Sequence, residues 1–134
     1  MSEPVTMDTA QFAGYLDEFG AGWMAGDAKR MAAVFTGDGV FVPDPFGGDV
    51  AGRSAIEAYW RDIPMNQSEI AFRFGEVFLV GPWFAAEFRC TYRRRRTGEP
   101  VDVRGAFFCE TGPEGVTEMR MYHHRVVRDA EDVG

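Results

Sequence analysis

Cysteine is nearly absent: Cys90 and Cys109 are the only two among 134 residues. Two cysteines cannot build the disulfide framework of a small secreted domain, and these two have no metal-ligand spacing. Both read as buried thiols of a protein kept in a reducing cytoplasm. Positive charge is also scarce, with 14 Lys and Arg against 21 Asp and Glu and a net charge of −7. That balance argues against nucleic acid and anionic membranes as partners, because binding phosphate depends on a basic field. No apolar run approaches the roughly 20 residues of a membrane span. The opening MSEPVTMDTA lacks a basic segment followed by an apolar one, so no signal peptide is expected. Histidine occurs twice, as the adjacent pair His123 and His124. Neighbours on a strand project to opposite faces and cannot both hold one ion, so no metal and no cofactor is expected.

Aromatic residues, by contrast, are plentiful, at 14% of the chain with twelve Phe, four Tyr and three Trp. The length predicts a single domain over residues 1–134, with 129–134 (DAEDVG) a solvated tail. This much ring surface also predicts an apolar cavity.

Asp8 with Gln11 reads as a capping box opening a helix that Gly26 ends. Along it Phe12, Tyr15, Leu16, Phe19, Trp23 and Met24 recur at helical spacing. Asp27 caps a short second helix carrying Met31, Val34 and Phe35. "TGDG" (Thr36 to Gly39) reads as a turn and Val40 to Val42 as a brief strand. "SAIE" (Ser54 to Glu57) reads as a second capping box, and its helix ends at Pro64. From Ile70 the pattern changes to period two. Ile70 to Val80, Trp83 to Arg95, Val101 to Glu110 and Val116 to Arg128 read as long strands separated by hairpin breakers. The fold class is therefore α+β: three N-terminal helices on one face of a curved antiparallel sheet.

Strand parity assigns the faces. Phe84, Ala86, Phe88, Cys90 and Tyr92 should face the helices, with Glu87, Arg89 and Thr91 opposite. In the last strand Met119, Met121 and His123 should point inward, against Glu118, Arg120, Tyr122 and His124; a one-residue bulge would exchange the two histidines. Arg104 is placed on the inward parity as an anchor for a ligand. Tyr15, Trp23, Trp60, Phe88 and Phe108 are candidate walls of the pocket. The outer face is too mixed for plain solvent surface and too polar for core, so a second copy of the chain should cover it. "RRRR" (Arg93 to Arg96) lacks interleaved aromatics and reads as a solvated hairpin tip.

The stretch "VPDPFG" (Val42 to Gly47) sets Asp44 between two prolines. Each proline fixes its own φ and pushes the preceding residue toward extended geometry, so Asp44 is held rigidly. Two readings fit: a turn residue closing a strand, or a carboxylate at a pocket mouth against Phe46, Trp60 and Phe88.

The segment from Trp23 to Trp60, with its A-G-D turn, its "DP" strand end and its G-R-x-A-I helix, resembles the NTF2-like superfamily. Glu114 to Arg125 (EGVTEMRMYHHR) is similar to that superfamily's last strand. The resemblance implies a cone with an apolar pocket, of the SnoaL-like or ketosteroid isomerase-like kind. It also implies a cofactor-independent cyclase, isomerase or dehydratase acting on a small hydrophobic carbonyl or hydroxyl compound, or else a binding or dimerisation module. Val42 to Gly47 resembles the general-base segment of the ketosteroid isomerases, which implies that Asp44 takes a proton. Their oxyanion-hole tyrosine falls near Phe19, one turn from Tyr15, and their protonated aspartate falls on Ala106. His123 and Arg104 are the groups expected to stand in for those donors.

Overall fold

The computed structural model describes residues 7–126. Helix α1 (Thr9–Ala25) begins with the expected capping box. Asp8 Oδ1 accepts the Gln11 N–H and Gln11 Oε1 accepts the Asp8 N–H, both at 2.8 Å. Two orphan donors of the first turn are thereby satisfied, a contribution of about 1 kcal/mol. Gly26, at φ 69°, turns the chain out of the helix in the left-handed region that suits glycine. Between those ends Phe12, Leu16, Phe19 and Trp23 form the buried stripe. Helix α2 (Ala28–Ala32) follows, capped by the Asp27 side chain.

Strand β1 (Phe35–Val42) is longer than the sequence implies, because Phe35 and the "TGDG" residues belong to it. Gly39 lies so close to the neighbouring strand that an added Cβ would come 3.0 Å from the Val116 carbonyl oxygen. Gly39 permits this close approach, and the predicted turn is corrected to strand. Arg53 further fixes this strand by donating to the Phe35 carbonyl. A short β2 (Val50–Ala51) precedes α3 (Arg53–Asp62). Gly52 occupies the cap position of α3 and no side chain bonds there, so the Ser54–Glu57 capping box does not form.

The remaining chain makes four long strands: β3 (Gln67–Val80), β4 (Trp83–Arg94), β5 (Pro100–Gly112) and β6 (Gly115–Val126). They join β1 and β2 in one six-stranded sheet of order β2-β1-β6-β5-β4-β3. β1 runs parallel to β6 while the other pairs are antiparallel, so the sheet is mixed. Two register shifts in the β3–β4 pair, between Ser68 and Ala71 and between Phe74 and Val77, bend that edge. The result is three helices on one face of a curved sheet, an α+β cone. The tail at 129–134 and the last two residues of the expected final strand lie outside the described residues.

Rings fill the space between helices and sheet. Phe107 stacks on Phe88 at 4.4 Å and meets Phe19 edge-on at 5.9 Å. Trp60 meets Phe19 at 5.3 Å and Trp23 at 4.9 Å, and Phe12 stacks on Phe84 at 4.6 Å. The Trp23 indole N–H donates to Gln67 Oε1 at 2.9 Å, a buried bond that ties α1 to the start of β3. Cys90 and Cys109 are buried free thiols within this layer. Loss of solvation pushes the Cys90 thiol up to about 12 and the Cys109 thiol further up, so neither is a nucleophile near neutral pH.

Candidate functional site

Parallel pairing of β1 with β6 determines what meets at one end of the sheet. Their last matched pair is Val42 with Arg120. Asp44 follows two residues after Val42 and His123 three after Arg120, so both candidate groups emerge at the same end. β5 and β6 stay in continuous register from Asp102–Val126 to Glu110–Glu118. No bulge exchanges the histidines: His123 shares the inward parity with the buried Met119 and Met121, and His124 faces out. Directly opposite His123 is Gly105, whose other neighbour is Phe88 on β4. A Cβ at Gly105 would meet the Tyr122 carbonyl oxygen and the His123 Cα, so β5 and β6 lie close together at this point. His123 itself is exposed.

Asp44 is exposed as well. Beyond it the chain makes a tight turn, closed by the Gly47 N–H donating to the Asp44 main-chain oxygen at 2.8 Å. A Cβ on Gly47 would lie 3.1 Å from Asp44 Oδ2, so the carboxylate leans over its own turn. The three expected walls are elsewhere. Phe46, at φ 71°, projects into solvent, while Trp60 and Phe88 are only 2% and 4% exposed within the core. The picture of a carboxylate against Phe46, Trp60 and Phe88 is corrected: Asp44 stands exposed on its turn.

Arg104 and Phe108 require a second correction. On β5 the inward residues are Val103, Gly105, Phe107 and Cys109, which leaves Arg104 and Phe108 on the outer face. Phe108 is 39% exposed, with its ring edge-on to Tyr122 at 5.6 Å. Arg104 is paired with Arg89 across the strands, and both donate to Asp102, at 3.1 Å and 2.9 Å for the closest contacts. The guanidinium of Arg89 above all, helped by Arg104, holds the Asp102 carboxyl down at about 2 despite its burial. Asp102 was not among the expected site residues; its signal in the sequence was a lone acid between Val101 and Val103.

Of the other candidates, Trp23, Trp60 and Phe88 are core. The Trp60 indole N–H is buried with no acceptor among the described residues, an unusual state for such a donor. Tyr15 lines a separate cavity of about 380 Å³ beside α1, with Gln11, Glu18 and Pro113. A wider groove of about 1060 Å³ crosses the outer face over Gly105 and Ala106. In the "RRRR" run, Arg93 bonds Glu69 and Arg94 pairs with Glu99, while Arg95 and Arg96 are exposed at the hairpin tip. Among the described residues no cluster of three His, Cys, Asp or Glu side chains could hold a metal ion. Nor is any helix among them long and apolar enough to cross a membrane.

Comparison with known proteins agrees with this architecture. The family model for the SnoaL-like domain matches residues 16–119. A structure from Bacillus subtilis described as a candidate isomerase is 22% identical, covers 88% of this chain and 90% of its own, and has a TM-score of 0.76. A candidate SnoaL-like polyketide cyclase from Jannaschia sp. CCS1 is 15% identical, with 91% of each chain covered and a TM-score of 0.73. A ketosteroid isomerase-like protein from Catenulispora acidiphila, in complex with trimethylamine, is 18% identical. It covers 81% of this chain and 83% of its own, with a TM-score of 0.72. At these identities the likeness carries the fold alone. No curated protein matches the sequence.

Proposed function

The chain belongs to the SnoaL-like family, and from that premise we propose a cofactor-independent enzyme of the cyclase, isomerase or dehydratase type. Its substrate is a small hydrophobic carbonyl or hydroxyl compound bound at the end of the sheet where β1 and β6 run out. The observation that supports this reading is the parallel β1–β6 pair, after whose last matched residues, Val42 and Arg120, Asp44 and His123 follow at the same end of the sheet. Asp44 takes a proton from the substrate, and His123 supports the charge that develops on oxygen. Arg104 has no part in the chemistry, because it faces away. Substrate binding itself excludes water from the two exposed groups, which strengthens their electrostatics at the reacting centre. The working unit is a homodimer, and its buried free thiols accord with a reducing cytoplasm.

A second reading, a binding or dimerisation module without turnover, is favoured by one observation. Asp44 is exposed on a turn while rings fill the interior of the cone. Asp44→Asn separates the two. The turn is closed by a main-chain oxygen, so the substitution should change stability by less than about 0.5 kcal/mol. On the enzymatic reading, screening small carbonyl compounds for turnover and for proton exchange into deuterated water finds a substrate. The Asn variant then loses at least about a hundredfold in rate while its affinity holds. Compounds that bind without reacting, with Asn altering affinity alone, would leave the binding module.

A further inference from the structure

On the long strands Arg89, Arg93, Arg94, Arg104 and Arg120 each form an ion pair with a carboxylate. Among the described residues of these strands, Arg73 and Arg125 do not. Arg73 stands opposite Arg89 on the outer face. Arg125 is on the other side of the sheet. It lies two residues beyond His123, so it shares the inward parity of Met119, Met121 and His123. Opposite it is Val103, and beyond Val103 on the next strand is Cys90, both buried. That row supplies no acid to neutralise the guanidinium. Arg125 is exposed at the end of β6, where a ligand can reach it.

From this placement we propose that Arg125 binds a carboxylate of the substrate, and that the compound handled beside His123 is a small hydrophobic oxo acid. The proposal rests on the site proposed above and narrows its substrate class. Alternate residues of a strand lie roughly 7 Å apart on one face. That spacing suits a carboxylate on Arg125 and a keto oxygen beside His123, with a short carbon chain between them. A guanidinium presents parallel N–H donors in one plane and grips both carboxylate oxygens, so the keto group is oriented as well as held. The carbon next to the ketone, within that short chain, then loses its proton. The proton passes to the Asp44 carboxylate, and the electron pair of the broken C–H bond moves onto the keto oxygen as an enolate beside His123. The net charge of −7 makes the choice of an acid informative. The chain as a whole repels anions, so a preference for an acid over its neutral ester requires a local cation.

Amide and arginine side-chain N–H shifts of the full chain, followed while β-benzoylpropionate or its methyl ester is titrated in, test this. At neutral pH wild type is expected to bind the acid at least about tenfold more tightly than the ester, with shifts at His123 and at the Arg125 side chain. Added salt should weaken the acid and leave the ester alone. Arg125→Gln should lower the acid to the affinity of the ester without changing the ester. Arg125→Lys should restore part of the preference, since it keeps the charge and loses the fork. Arg96→Gln, at the exposed hairpin tip, should change neither, which separates a specific contact from a general effect of charge. Thermal melts check that each variant folds. If Arg125→Gln does not, the acid–ester difference and the Arg125 side-chain shift of wild type decide the matter. An ester that binds beside His123 as tightly as the acid, or a variant that weakens both alike, overturns the role of Arg125 and leaves the site standing. Silence of His123 toward both compounds overturns the oxo-acid assignment. Silence toward every carbonyl and hydroxyl compound tried overturns the site as well.

Discussion

Replacing Gly105 with alanine is expected to cost the domain more than about 4 kcal/mol, a large share of the roughly 5–15 kcal/mol that hold a typical domain together. A Cβ at this position would run into the Tyr122 carbonyl oxygen, with the His123 Cα at 2.8 Å behind it. Both obstacles are backbone atoms of β6, so no rotamer change can relieve the overlap. β5 and β6 would have to separate where their register is continuous on either side, from Asp102 to Glu110. Urea unfolding should therefore show a midpoint shifted far below wild type, or no cooperative transition at all. A midpoint within the usual scatter of surface mutants would mean that the strands do not pinch here.

The second large effect concerns the ring layer. Phe107→Ala should lose about 3–5 kcal/mol, the usual cost of deleting a fully enclosed phenylalanine. The side chain is completely buried, stacked on Phe88 at 4.4 Å and touching Phe19 and Phe72 at 5.9 Å and 6.2 Å. Its neighbours come from α1, β3 and β4, so no single element can move in to close the void. Chemical denaturation measures the loss directly. A change below about 1 kcal/mol would indicate a half-exposed ring, and hence a β5 slipped by one residue so that Phe108 points inward.

That ambiguity shows where the sequence is legible and where it is not. α1 can be read in full, because its cap, its apolar stripe and its terminal glycine are all local signals. The faces of β4 and β6 follow from clean alternation: Phe84, Ala86, Phe88 and Cys90 are buried on one, Met119 and Met121 on the other. β5 offers no such signal. Val101, Asp102 and Val103 are all buried, and Phe107 and Phe108 are adjacent rings, so both parities look apolar. Only pairing with β4 and β6 decides that Phe107 goes in and that Arg104 and Phe108 go out. β1 misleads for a different reason. Its glycines read as a turn, yet at Gly39 β6 approaches closely, a tertiary demand that leaves no local trace. At Asp44 the two prolines correctly announce a rigid turn, while the exposure of its carboxylate depends on which side chains arrive from α3 and β4. Trp60 and Phe88 pack into the core instead of reaching that turn.

The central claim is that a small ligand is handled at the end of the sheet shared by Asp44 and His123. Backbone amide chemical shifts, followed while a panel of small hydrophobic carbonyl and hydroxyl compounds is titrated in, test it most directly. The account predicts that shifts for any compound bound concentrate at Gly105, Tyr122, His123 and the turn from Asp44 to Gly47. Shifts confined to Gln11, Tyr15 and Glu18 beside the cavity along α1, with the β1–β6 end silent, would contradict it.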